Sequence, residues 1–249
     1  FDPRPGPRWE TDEGKRYSYD RTSPPREVST EPRAVEGQME LIEEAHRRGG
    51  EVLASAHTLT RLTPAGALAI GRLAEERGAD AVKIGMLATS AIVEAVAAAI
   101  ASLDLPQIVL DPVMVAKGGD RLLLEDAVAA LRAELLPRVH ILTPNVPEAE
   151  VLADMPIRSE EEMRTAGIRI LGMGPRVVLV KGGHLDGPES VDVMCTAGGT
   201  FELRRPRIRT TRTHGTGCTL SAAIAANLAA GMEDREAVER AREYLDGAI

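Results

Sequence analysis

The chain has 249 residues, a formal net charge of -8 and 43% hydrophobic residues. That suits one large α/β domain, or one domain plus a short extra segment, with a core that needs neither disulfides nor metals. The acidic balance argues against general nucleic-acid binding, which takes a basic surface, but leaves open a small phosphate pocket built from backbone N–H groups and one lysine. No apolar run approaches the length of a membrane span. No charged-then-apolar leader opens the chain, so secretion is not expected. Cys195 and Cys218 read as free thiols of a reducing cytoplasm. The first residue is Phe1, as expected of a fragment, a processed chain or an incomplete reading frame.

Residues 1–34 hold six prolines and four of the six aromatic residues without apolar periodicity, which predicts an extended or disordered segment. From Val35 the pattern becomes regular. Val35, Met39, Leu41, Ile42 and Ala45 suit an amphipathic helix that Gly49-Gly50 stops. Predicted strands and helices then alternate: strand 51–56, helix 64–77, strand 80–85, helix 90–103, strand 107–110, helix 123–135 and strand 139–143. The unbroken apolar runs Ile108-Val109-Leu110 and Val177-Val178-Leu179-Val180 fit strands of a parallel sheet covered on both faces. Segments near 190–196 and 199–204 read as a hairpin around Ala197-Gly198-Gly199, and helices at 217–230 and 234–248 close the chain. The expected fold class is layered α/β with a mostly parallel central sheet.

Several polar motifs follow predicted strands directly. His214-Gly215-Thr216-Gly217-Cys218 opens an alanine-rich helix, where glycine backbone N–H groups and the helix start form an anion cradle. The same field is expected to favour the thiolate of Cys218; the plainer reading is a glycine turn capped by Thr216, with Cys218 as a small core residue. Lys181 emerges at the carboxyl end of a strand, where open α/β sheets bind ligands. Asp111 follows another strand and is a plausible partner for Mg²⁺ or a phosphate-bound water. Asn145 and Glu148 follow a third, spaced to share one helical face; for either alone, a helix cap is the plainer reading. All four signatures converge on one rim.

The ordered run Lys83-Ile-Gly-Met-Leu87, Asp111-Pro-Val-Met-Val-Ala-Lys117, Thr143-Pro-Asn-Val-Pro-Glu148, Val180-Lys-Gly-Gly-His184 and Thr213-His-Gly-Thr-Gly-Cys218 resembles the signature of hydroxymethylpyrimidine/phosphomethylpyrimidine kinases of the ribokinase superfamily, over residues ~80–249. The resemblance implies a ribokinase-like layered fold, with ATP and Mg²⁺ as cofactors. It implies that Cys218 activates the substrate hydroxymethyl group and that Gly215, Thr216 and Gly217 form an anion hole. Lys181, Asn145 and Thr213 would serve the ATP phosphates, and Glu148 and Asp111 the metal. Gly85 and Met86 would line the pyrimidine pocket. It also implies a cytoplasmic enzyme of thiamine biosynthesis, a small-molecule pyrimidine substrate and a homodimer, with pyridoxal kinase as a near neighbour.

The amino-terminal third departs from that family, since no Gly-rich, Asp-containing opening segment precedes residue 80. Residues 37–84 resemble a fragment of type I 3-dehydroquinate dehydratase through Glu40–Gly49, Val52–His57, Leu62-Thr-Pro64 and Gly78–Lys83, with His57 and Lys83 at the acid–base and Schiff-base positions. The expected organisation is therefore an extended segment 1–34, a βαβ segment 35–84 and a kinase domain 80–249. Three functions stand: an active pyrimidine kinase, a catalytically impaired ribokinase-like binding protein or chimera, and a lyase. An uncovered sheet edge forfeits about 1.5–3 kcal/mol for each large side chain left bare. Strand 51–56 is accordingly expected to join the sheet of 107–110 and 139–143.

Overall fold

A computed structural model of the chain describes residues 8–10, 16–18, 52–53, 74, 78–87, 89–103, 105, 107–114, 125–208 and 215–248. The chain divides into two compact units, Phe1–Pro32 and Arg33–Ile249. In the first, strands β1 (Arg8–Glu10) and β2 (Arg16–Ser18) pair antiparallel with Trp9 opposite Tyr17. This local ribbon lies inside the stretch expected to be extended or disordered. The predicted helix at 35–49 and the residues His57, Lys117 and Thr213 lie outside the described residues, as does 64–77 apart from a helical Ala74.

The second unit is built on a seven-stranded sheet. In chain order its elements are β3 (Val52–Leu53), β4 (Ala81–Ile84), α1 (Ser90–Ser102), β5 (Ile108–Leu110), α2 (Glu125–Ala130), β6 (Ile141–Leu142), α3 (Val146–Ala153), α4 (Glu160–Leu171), β7 (Val177–Val180), β8 (Glu189–Thr196), β9 (Gly199–Pro206), α5 (Thr216–Ala229) and α6 (Asp234–Ala248). The strands lie side by side in chain order from β3 to β9. β3 to β7 are parallel, and β8 and β9 complete the sheet as an antiparallel hairpin. Thr196 faces Gly199 across the two-residue turn at Ala197-Gly198. β3 pairs with β4 through Val52 opposite Ala81 and Leu53 opposite Val82, so the expected strand does join the sheet of β5 and β6.

Two apolar layers cover the sheet. Ala81, Val109, Ile141, Val177, Leu179 and Met194 pack on one face against α5 and α6. Ile108, Leu110, Leu142, Val178, Val180 and Val193 pack on the other against α1 to α4. Alternate residues along one strand thus serve opposite layers, as a two-residue period requires. Among the described residues, no helix is long and apolar enough to cross a membrane.

Local chemistry sets the helix limits. Thr89 caps α1, its side chain accepting from the Ile92 N–H. Ser159 caps α4, whose first turn carries Glu160, Glu161 and Glu162 against the positive end of the helix. The helix predicted over 123–135 is regular only as α2. It widens into a π turn at Leu131–Leu135 and tightens into a 3-10 turn at Leu136–Arg138, where Pro137 has no N–H to continue the ladder.

One buried charge pair ties α6 to the hairpin. Arg242 on α6 is 5% exposed and Asp192 on β8 is 4% exposed, and their side chains form an ion pair. The second carboxylate oxygen of Asp192 accepts from the Gly182 N–H at 2.9 Å. Removing one partner of such a pair strands the other charge in the core, at a cost of about 3–5 kcal/mol. Arg242→Met is therefore expected to lower the urea-measured unfolding free energy by about that amount, and a loss too small to measure would show that the pair is solvated.

Candidate active site

Four polar residues continue the α5-facing rows of the sheet, Lys83 inside the end of β4 and the other three just past their strand ends. Lys83, Asp111, Thr143 and Lys181 stand two residues beyond Ala81, Val109, Ile141 and Leu179, the buried residues that pack on α5 and α6. By strand alternation their side chains share that face, at the carboxyl edge of the parallel strands. Backbone hydrogen bonds carry the stagger beyond the strands. The Asp111 N–H donates to the Ile84 carbonyl at 2.9 Å, Thr143 to Leu110 at 2.9 Å, and Lys181 to Pro144 at 2.8 Å.

The side chains then meet. Lys181 Nζ donates to Asp111 Oδ1 at 2.8 Å, and the Thr143 hydroxyl reaches the same oxygen at 3.4 Å. Asp111 is 2% exposed. Burial works against its charge, but Lys181 and then Lys83 outweigh that and hold the carboxyl below the usual carboxylate range. Burial also opposes the charge on Lys181, and the carboxylates of Asp111 and Glu148 reverse the effect and raise its pKa. Both groups are charged near neutral pH.

The start of α5 lies over this pair. Gly215 precedes the helix with φ +81°, a left-handed conformation in which glycine is the least strained residue. Gly217 has no room to spare: a methyl group there would stand 3.1 Å from Lys181 Nζ and 3.5 Å from Asp111 Oδ2. The glycine-rich helix start and the strand-end lysine, predicted as separate signatures, therefore share one space. Gly215 is the residue before the helix, so the turn is not capped by Thr216 as the plainer reading had it.

Cys218, in the first turn of α5, departs from expectation. Burial pushes its thiol up; Lys83 opposes this, while the Asp111 carboxylate adds to it both by its charge and by accepting a hydrogen bond from the thiol. A neighbouring anion and the loss of water outweigh the helix-start field that was expected to favour the thiolate.

Asn145 takes the plainer of its two readings, a helix cap. It is the N-cap of α3 and does not share a helical face with Glu148. Its side-chain oxygen accepts from the Glu148 N–H at 2.9 Å, and the Glu148 carboxylate accepts from the Asn145 N–H at 2.8 Å, a reciprocal capping box. Asn145 also bridges Lys181 across the gap between β6 and β7. Glu148 is 4% exposed, and burial pushes its carboxyl up to about 7, Lys181 opposing and Asp111 adding to the rise. Gly85 and Met86 lie at the end of β4, half-buried, with Lys83 Nζ 2.9 Å from where a Gly85 side chain would begin.

Beside this rim, Gly182, His184 and Leu185 wall a cleft of about 810 Å³ whose far side is formed by Arg158, Glu160 and Arg164. The sequence reading assigned no role to Thr143, Asp192 or Arg242. Asp192 carried a signal, because a lone carboxylate inside the run Val191-Asp192-Val193-Met194 must find a partner if the strand is buried. Arg242 carried none among the many charges of α6.

Comparison with known proteins agrees with this geometry. The chain is 48% identical over 171 residues to hydroxymethylpyrimidine/phosphomethylpyrimidine kinase of Escherichia coli (strain K12), covering 68% of this chain and 64% of that enzyme, less than two thirds of its length. The fold is similar to the crystal structure of phosphomethylpyrimidine kinase from Clostridium difficile, with TM-score 0.65 and 34% identity over 75% of this chain and 77% of that one. It is also similar to pyridoxal kinase from Staphylococcus aureus in complex with AMP-PCP, with TM-score 0.66 and 34% identity over 71% and 64% of the two chains. The family model described as phosphomethylpyrimidine kinase matches residues 67–249, and the chain belongs to that family.

Proposed function

We propose that the chain transfers the γ-phosphoryl group of ATP to hydroxymethylpyrimidine and then to its monophosphate, as a step of thiamine biosynthesis. The observation that carries this reading is the Lys181–Asp111 pair beneath the glycine start of α5. An ammonium and a row of helix-start N–H groups converge there on a site shaped for an oxyanion. In the reaction, the substrate hydroxymethyl oxygen forms a bond to the γ-phosphorus while the bond from that phosphorus to the ADP oxygen breaks, and the hydroxyl proton is released. Gly215, Thr216 and Gly217 hold the developing phosphoryl charge, and Lys181, Asn145 and Thr213 hold the nucleotide phosphates. Gly85 and Met86 line the pyrimidine side. Cys218 is protonated in the free chain, so its part is to receive and orient the acceptor hydroxyl. A loose transition state needs little early help from a base.

Mg²⁺ fits the acidic residues of this rim. Glu148 is a buried carboxyl beside Asp111 with its pKa raised to about 7, an arrangement that a cation relieves. Among the described residues no cluster of three or more His, Cys, Asp or Glu stands ready for a metal, which suits an ion that completes its shell with phosphate and water oxygens. Glu148, with Asp111 behind it, would hold Mg²⁺, which supplies charge neutralisation on the phosphates. A cytoplasmic homodimer belongs to the same reading.

A second reading rests on the extent of the family match, which begins at residue 67. In it the chain keeps the nucleotide rim, lacks part of the acceptor pocket and acts as a binding protein without turnover. The lyase reading finds no comparable support, because Lys83 stands with Asp111 and Lys181 on the phosphate-shaped rim.

Purified chain supplied with ATP, Mg²⁺ and hydroxymethylpyrimidine is expected to consume ATP only when the pyrimidine is present; ATP binding without such turnover would select the second reading. Cys218→Ala should lose on the order of a hundredfold in kcat, the scale for misplacing a reacting group, with ATP affinity retained. An unchanged rate in that variant would remove Cys218 from the chemistry. Protonation of Glu148 below about pH 7 competes with the metal. The Mg²⁺ concentration for half-maximal turnover should therefore fall about tenfold per pH unit as pH rises toward 7 and level off above it. Glu148→Gln should abolish that slope, and a flat profile in the unsubstituted chain would separate Glu148 from the metal.

A further inference from the structure

The segment after Lys181 reads Gly182-Gly183-His184-Leu185-Asp186-Gly187-Pro188, with three glycines and no apolar pattern. Such a composition pays heavily in chain entropy to hold one shape. Its internal support is slight: a 3-10 turn over Gly182–His184 closed by the Leu185 N–H donating to the Gly182 carbonyl at 3.1 Å. The rest of its order is imposed from outside. The Gly182 N–H is taken by Asp192, and a methyl group at Gly182 would fall 1.9 Å from the Val191 carbonyl oxygen, so this end of the loop is pressed against β8.

Everything beyond Gly182 is gathered by one residue. Arg207 Nε donates to the Gly187 carbonyl at 2.9 Å, Nη1 to the Gly183 carbonyl at 2.9 Å, and Nη2 to the Glu189 carbonyl at 3.1 Å and to that of Leu185. The Arg207 backbone N–H donates to the Pro188 carbonyl at 2.9 Å. Among the described residues no carboxylate pairs with this guanidinium, so its donors go to loop carbonyls and not to a surface ion pair. Only a planar fork of five donors can reach carbonyls spread along such a stretch, and a lysine ammonium presents its three donors from a single point. Arg207 also follows β9 directly, so it ties the loop after Lys181 to the end of that strand. The opposite side of the same loop walls the cleft next to the rim.

We propose that Arg207 is a positioning residue for the nucleotide: it holds the Gly182–Glu189 loop in the conformation that the triphosphate meets on entering the site. This rests on the kinase reading above. With the loop held by Arg207, nucleotide binding does not bear the entropy of ordering it. Without the guanidinium that cost falls on the nucleotide, and the chemistry of the bound complex is left nearly intact.

The test uses Arg207→Met and Arg207→Lys in the full chain, with amide hydrogen exchange, ATP affinity by calorimetry and steady-state kinetics with hydroxymethylpyrimidine. In Arg207→Met, exchange in peptides covering 182–189 should quicken on the order of tenfold while peptides covering 108–142 are unchanged. The ATP dissociation constant should rise on the order of tenfold with kcat within about threefold, the pattern of a lost pre-ordering contribution. Arg207→Lys should fall between the two. Loop exchange that ignores the substitution overturns the proposal, as does faster loop exchange with unchanged ATP affinity. Faster exchange across the whole sheet also overturns it, since that marks a general brace. An unsubstituted chain that binds no ATP is the separate signature of a failed kinase reading and takes the nucleotide role of Arg207 with it, whereas a chain that binds ATP while its loop ignores the substitution sinks the Arg207 role alone.

Discussion

A lysine and a carboxylate that are both removed from water cost several kcal/mol each unless each answers the other, and the site is organised around that demand. Lys181 and Asp111 come from strands two places apart in the sheet, with β6 between them. For the two to meet at 2.8 Å, β5, β6 and β7 must end in step, and Thr143 on the middle path must be small and polar. The helix that covers them comes close at Gly217, where a side chain would crowd the Lys181 ammonium and touch Asp111. The pair also keeps the Lys181 ammonium charged and held in place, and in the proposed reaction a phosphate would compete with one carboxylate for it.

The parallel sheet delivers these groups by simple counting. Each strand buries one residue in two against α5 and α6, and the next position in that same row, near the end of β4 and just past the ends of β5, β6 and β7, is polar on all four. A one-residue slip on any strand would turn its polar residue into the opposite layer. The apolar rows and the polar rim are therefore a single pattern, and the core that stabilises the sheet also sets the register of the site. On the other face the same strands meet α1 to α4, and α3 enters with its Asn145–Glu148 capping box at the same edge. Capping does not exclude chemistry there. It fixes the buried Glu148 carboxyl next to Asp111, where like charge and burial leave it half-ionised near neutral pH.

Most of this was legible before any coordinates, because it rests on period and punctuation. The apolar runs at Ile108–Leu110 and Val177–Val180 are strands, the glycine turn at Ala197-Gly198 is the hairpin tip, and the motifs after the strands share one rim. The errors have a common cause in that they concern burial, which local sequence does not report. Cys218 at a helix start looks like a thiolate until its neighbours are known to include Asp111 and little water. Asn145 and Glu148 at i and i+3 fit either one helical face or a cap, and the structure takes the cap, with the Glu148 carboxyl buried. The first helix turn of α4 is legible in Ser159-Glu160-Glu161-Glu162, a cap followed by acids. The Arg207 contacts were not readable at all, since they join a side chain to carbonyls about twenty residues away and carry no residue-type signal.

The order of the strands also decides what an unusual opening segment can affect. β3 is the outermost parallel strand and touches only β4 in the sheet, while Lys181 lies at the end of β7, four strands away. The backbone of β3 needs nothing from the kinase pattern to pair, because Val52 and Leu53 supply a strand edge to Ala81 and Val82 whatever their origin. Gly85 and Met86, on the acceptor side of the proposed reaction, end the strand that β3 does touch. Within the sheet, an unusual first strand therefore bears first on the end of β4, with Lys83, Gly85 and Met86, and only through it on Asp111 and Lys181. In the proposed reaction, nucleotide binding and pyrimidine recognition are for this reason separable, the one resting on the ends of β5 to β7 and the other on the end of β4.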